Sequence, residues 1–237
     1  SNFVPVRDTR FDYSRPVDGS DPATDWRGVH TIEDSPNAIN PATGFAFCTN
    51  NWPYSAAGAA SPRRKDYPAY MDRGGENARG VHALRLLEGR SGFTLEGLRA
   101  AAYSTQLPAF DALAPALVRG WDALPAGDPL RAATAEPVAV LRAWDLRWDT
   151  ASVATSLAVF WGAELVGTHL QADARAAGMD AFAFAATRTT AAQRLETLRA
   201  AMDRLAADFG VWRTPWGEIN RFQRLSGTID LTFADDA

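Results

Sequence analysis

The chain changes character near residue 75, and that change limits what it can fold into. Residues 1–75 hold only short apolar runs: Phe3 to Val6, Val29 to Ile32 and Gly44 to Thr49. Turn-forming steps part them, among them Asp18-Gly19, Asp21-Pro22, Asn40-Pro41 and Asn51-Trp52-Pro53. Such punctuation supports loops and a few strands rather than long helices. Beyond residue 75 the apolar residues recur at helical spacing. The expected fold class is therefore α+β, mainly helical with a few short strands. Residues 1–75 form a loop-and-strand segment, and residues 76–237 a helical body ending in a partial strand.

The helical body divides at its breakers. Glu76 to Leu87 sets Val81, Leu84 and Leu87 on one face before Gly89. Thr94 is a candidate N-cap for a helix through Leu98 and Ala102. Leu107 to Leu124 carries Phe110, Leu113, Leu117 and Trp121 as a stripe, and Pro125 to Pro129 ends it. Leu130 to Trp144 follows, with Pro137 as either a kink or the true start. Thr150 to Leu170 is apolar all round, which marks a buried helix. Glu164 and His169 interrupt it, so it is a poor membrane span. Thr190 to Phe209 places Leu195, Leu198, Met202, Leu205 and Phe209 on one stripe, with Gly210 as C-cap. Under three heptads long, that stripe reads as a packed helix rather than a coiled coil. A turn at Trp212 to Gly217 and a strand at Thr228 to Phe233 complete the pattern, so the chain reads as cut just after a new strand.

Composition excludes several functions. A chain of 237 residues has room for one large domain or two small ones and can bury a core without disulfides. Its 24 basic and 28 acidic residues give a net charge of −4, which argues against nucleic acid as a partner. Cys48 is the only cysteine, and His30, His82 and His169 are far apart in sequence, so a Cys/His zinc site is not expected. Lys65 is the only lysine.

Four groups of residues bear on chemistry. Asp18, Asp21 and Asp25 surround Gly19 in a spacing that could wrap calcium, or simply form a solvated turn. Asn50 and Asn51 follow an expected strand, where their amides either donate to a substrate or satisfy the loop backbone. Arg79 falls near a helix start, as a surface residue or as a functional one. Ser1 invites a reading as an N-terminal nucleophile whose own α-amine serves as base. Ser1-Asn2 is equally what removal of an affinity tag leaves behind. His30 and His82 are read as structural.

One ordered series of motifs joins these pieces. It runs Pro5-x-Arg7, Arg15-Pro16-Val17-Asp18-Gly19, Trp26-x-Gly28, Asn40-Pro41-x-x-Gly44 and Asn50-Asn51-x-Pro53. Asp66-Tyr67-Pro68, Arg79, Leu86-Leu87 and Phe93-Thr94-Leu95-Glu96 continue it. The series resembles the later part of the β-chain of the penicillin acylase (penicillin amidase) family. Trp144-Asp145 with Ser152, and Trp216-Gly217-Glu218-Ile219-Asn220-Arg221, extend the likeness more weakly.

The resemblance implies an N-terminal-nucleophile hydrolase that cleaves linear amides of β-lactam, acyl-homoserine lactone or lipopeptide type. It gives Asn50 the role of oxyanion donor, and Arg79 that of orienting the asparagine and the nucleophile's amine. It does not give Ser1 the nucleophile's role. The family separates its nucleophile from the Pro-x-Arg step by on the order of two hundred residues, whereas Pro5 follows Ser1 by four. The resemblance thus implies a fragment of an αββα sandwich plus helical body, inactive alone, whose nucleophile lies elsewhere. Its partners are then the α-chain, the N-terminal part of the β-chain and a small acyl-amide substrate, with no nucleic acid or membrane. No cofactor is expected in the fragment, a structural calcium belonging instead to the full-length parent. Location in the periplasm or outside the cell is implied by the family alone. Removal of half a sandwich would expose an apolar patch around Phe45, Phe47 and Trp52 and promote a non-physiological dimer. A non-catalytic helical interaction domain, and a shortened Ser1 hydrolase, are the competing readings.

Overall fold

The computed structural model describes residues 4–72 and 74–221. Ser1 and the expected strand Thr228 to Phe233 lie outside them. The described residues fall into two units, one up to Ser104 and one from Thr105. The compositional change at residue 75 lies inside the first.

The first unit is mostly loop, tightened by 3-10 turns at Pro22–Thr24, Pro53–Ser55, Gly58–Ala60 and Arg64–Asp66. Helices α1 (Ala78–Leu87) and α2 (Leu95–Ala102) follow, capped by the side chains of Asn77 and Thr94. Among the described residues of this unit the expected strands do not form as strands. Val4 to Val6 meets Gly28 to His30 in a single antiparallel bridge, Pro5 opposite Val29. Three backbone hydrogen bonds hold it: Val6 N to Gly28 O, Arg27 N to Val6 O and His30 N to Val4 O. Pro5 has no N–H to extend the ladder, and Gly28 turns away at φ 122°.

Along the run Phe45 to Thr49 the burial alternates as a strand's does. Phe45, Phe47 and Thr49 are half-buried, whereas Ala46 and Cys48 are exposed. Yet its recorded backbone bond to another segment is Phe47 N to Ala56 O, and no strand lies beside it among the described residues. The expected apolar patch is also misplaced. Phe45, Phe47 and Trp52 are all partly covered, the Phe45 ring lying against Gly58. Among the described residues of the first unit, the exposed large apolar side chains are instead Trp26, Val29, Ile32, Ile39, Leu95, Leu98 and Tyr103.

The second unit holds the main core. Its elements are α3 (Leu113–Asp122), α4 (Pro129–Ala133), α5 (Ala135–Arg142), α6 (Val153–Val166), α7 (Thr168–Ala176), α8 (Ala181–Arg188), α9 (Ala191–Phe209) and α10 (Trp216–Ile219). Helix α6 is the axis, packed along α9 and also against α5, α7, α8 and α10. Leu157, Ala158 and Trp161 of α6 are fully buried with Leu195, Leu198 and Leu205 of α9. The Trp161 indole donates to Arg194 O at 2.9 Å, which satisfies the one polar atom a buried tryptophan carries. Gly162 leaves room for two rings, since a Cβ there would stand 2.8 Å from Phe182 and 3.3 Å from Phe110.

Two expected helices are each divided. Leu130 to Trp144 breaks at Thr134, and Pro137 becomes the third residue of α5, where its absent N–H needs no intrahelical partner. Thr150 to Leu170 breaks at Gly167, φ 36°, and the chain resumes as α7. The break leaves no single helix long and apolar enough to cross a membrane among the described residues. Helix α9 forms with a full capping box, Thr190 with Gln193, and ends at Gly210, φ 85°. The Trp144-Asp145 pair has a local use: the indole donates to Arg147 O and the carboxylate accepts Arg147 N.

Candidate active site

Asn50 follows the run Phe45 to Thr49 at φ 55°, a left-handed conformation that asparagine tolerates better than most side chains. Its side chain stands at an exposed position. Pro53 then opens a 3-10 turn that carries the chain away.

Helix α1 supplies the partner. Asn77 caps it by accepting Gly80 N at 2.9 Å, and this sets Arg79 in the first turn. Arg79 Nη1 donates to Asn50 Oδ1 at 3.3 Å. A guanidinium has donors only, so the Asn50 oxygen must face it and Nδ2 must face elsewhere. The amide orientation is thus fixed by chemistry, with a neutral N–H donor directed away from the cation.

The surroundings tie the loop to the helix at several points. Asn51 Nδ2 donates to Glu76 Oε1 at 2.7 Å, and Asn77 N donates to the same oxygen at 2.9 Å. Thr49 N donates to Asn51 Oδ1, and Asn77 Nδ2 to Thr49 O, both at 3.4 Å. Asn51 also forms part of the wall of a cavity of about 380 Å³ with Phe47, Cys48, Trp52 and Met71.

The other candidates remain apart from this pair. Asp18 accepts from Ser20 N and Oγ, and Asp21 caps the Pro22–Thr24 turn through Ala23 N. Among the described residues no three His, Cys, Asp or Glu side chains gather in a way that could hold a metal ion. His30 Nε2 lies 2.8 Å from the Tyr70 hydroxyl, and His82 Nε2 lies 2.9 Å from Ser104 Oγ. Asn51 was considered beside Asn50, whereas Glu76, Asn77 and Gly80 escaped the sequence reading as site residues. The one available signal was the Glu-Asn step ahead of a helix, which marks an N-terminus.

A family model for penicillin amidase matches residues 1–233. The chain belongs to the penicillin amidase family. Among solved structures, this family member is similar to a thermostable penicillin G acylase from Alcaligenes faecalis. The two are 20% identical, with a TM-score of 0.53. The match covers 90% of the chain and 45% of the acylase chain, so the chain spans less than half of that relative. At this identity the likeness speaks for the fold. No curated protein matches the chain in sequence. The family is one of amide hydrolases, and that coarse activity is the frame in which this penicillin amidase family member's Asn50–Arg79 pair is read.

Proposed function

We propose that this chain is the part of an acylase that supplies an oxyanion donor for hydrolysis of a linear amide, the serine nucleophile lying outside it. The carrying observation is the Arg79–Asn50 hydrogen bond, which turns a neutral amide N–H outward at an exposed loop end. In this reading the serine Oγ attacks the amide carbonyl carbon while its own α-amine takes the hydroxyl proton. The carbonyl π electrons move onto oxygen, and Asn50 Nδ2 donates to that oxyanion. Collapse expels the amine, which takes the proton, and water then releases the acid from the acyl-enzyme. A preorganised donor of this kind contributes about 3–4 kcal/mol to the barrier.

The substrates proposed are small acyl amides of β-lactam, acyl-homoserine lactone or lipopeptide type. The remaining acylase chain is the proposed partner and would provide the sandwich and any structural calcium. Location in the periplasm or outside the cell follows the family. Family membership over residues 1–233 supports all of these.

Hydrolysis of chromogenic acyl-anilides tests the reading. The chain alone should be silent, and so should its Ser1→Ala variant. In a full-length parent, Asn50→Gly should lower kcat by about 10²–10³. Turnover by this chain that disappears with Ser1→Ala would overturn the placement of the nucleophile.

A further inference from the structure

Asn50 holds a left-handed backbone conformation at an exposed loop end, and one hydrogen bond of 3.3 Å from an exposed arginine is a weak anchor for it. The neighbours on both sides supply what that bond lacks. Asn51 reaches back across Asn50 to Thr49 N, closing a short ring around it. Asn77 Nδ2 holds Thr49 O from the other side. Both ends of this ring lead to Glu76. Its Oε1 accepts from Asn51 Nδ2 and from Asn77 N, so a single oxygen joins the loop to the residue that caps α1.

Gly80 confirms how closely these parts fit. A Cβ there would stand 2.0 Å from Glu76 Oε1 and 2.5 Å from Asn51 Nδ2. The helix therefore carries no side chain where the carboxylate and the amide meet. Glu76 Oε2 is buried with no hydrogen-bond partner among the described residues, a costly state for a carboxylate oxygen. Stability alone would not favour a carboxylate held this way.

We infer that Glu76 is a positioning residue for the reaction: it clamps Thr49 and Asn51 to the N-terminus of α1, and so sets Asn50 against Arg79. The inference rests on the reading of Asn50 as oxyanion donor. Glu76 touches no reacting atom. Its effect travels through Asn51 and Asn77, and an error on the order of 1 Å in a donor's place can lower a rate about 10²-fold.

The test uses the full-length enzyme and an acyl-anilide, with kcat and KM measured separately. Glu76→Ala should lower kcat by about 10–100-fold with KM little changed, and Glu76→Gln, which keeps the accepting oxygen, should recover most of the loss. Asn51→Ala removes the same bond from its other end. Its effect should therefore fail to add to that of Glu76→Ala in a double-mutant cycle. Unchanged kcat in Glu76→Ala, no better activity in Glu76→Gln than in Glu76→Ala, or additive losses would overturn the inference. Should Glu76→Ala not fold, the comparison of Glu76→Gln and Asn51→Ala with wild type decides: the first should be active and the second slow. Asn50→Gly separates the two claims. If it leaves kcat intact, the oxyanion reading fails. The clamp is then judged by whether Asn51→Ala shifts the NMR signals of the Asn50 side-chain amide. If Asn50→Gly is slow and Glu76→Ala is not, the clamp alone fails.

Discussion

Arg79 Nη1 and Asn50 Oδ1 meet at 3.3 Å although 29 positions of chain separate the two residues. Both are exposed, so the contact should matter more for orientation than for stability. Arg79→Leu is expected to lower kcat of the full-length enzyme about 10–100-fold. It should change unfolding free energy by no more than about 0.5 kcal/mol, as for other surface substitutions. Arg79→Lys should recover little, because a compact ammonium replaces a planar donor fork. Steady-state kinetics beside urea denaturation would show the separation. A large stability loss with normal kcat would contradict it.

The left-handed backbone at Asn50 gives a prediction independent of catalysis. Asn50→Gly should keep the loop, whereas Asn50→Val should lose about 1–2 kcal/mol, because a Cβ-branched residue crowds the carbonyl at positive φ. Urea denaturation of the two variants would measure the difference. Equal stability would mean that the loop relaxes to another conformation.

At an open helix position Gly→Ala gains about 1 kcal/mol. Gly80→Ala should do the opposite. The new methyl would overlap Glu76 Oε1 and Asn51 Nδ2 and force the carboxylate out of its place. A lower thermal midpoint, together with shifted Asn51 side-chain amide signals in NMR spectra, is the expected outcome. A higher midpoint with unshifted signals would show that the carboxylate has room to move aside.

Asp8 gives the first unit an acid limit. Its carboxylate is buried and accepts from Arg10 through the backbone N, Nε and Nη2, with Arg27 Nη2 at 2.7 Å. The Arg10 hydrogen bonds hold its pKa well below the usual carboxylate range, and the Arg27 charge adds to this. A depressed pKa means that the unfolded state binds the proton first. The stabilisation is complete above the unfolded value near 4 and declines as pH falls below it toward the folded value. Asp8→Asn should therefore flatten stability against pH between about 4 and 2, and leave the slope near pH 7 unchanged. Thermal melts across that range would reveal it, and an unchanged acid limb would rule the group out.

Helix α9 was legible because its information is local: Thr190 and Gln193 close its start, Gly210 ends it, and the apolar stripe lies between. The breaks at Thr134 and Gly167 were harder to see. Neither residue forbids a helix, and neighbouring helices decide where the chain turns. The run Phe45 to Thr49 has the alternation of a strand, but a strand also needs an edge to pair with, and a sequence does not state where that edge is. Asn50 and Arg79 were found through family motifs, and their contact depends on a fold that joins residue 50 to residue 79. Glu76 was the least visible, since one carboxylate before a helix looks like ordinary helix-dipole chemistry.

The solitary lysine, Lys65, stands in the exposed 3-10 turn Arg64–Asp66. Among these 237 residues, a reagent selective for lysine amines would meet this one ε-amine. A dye or a solid support joined to that ε-amine would sit at a single known place. Every copy would then present the same side to solution, and a signal from that label would report on one turn of the first unit alone.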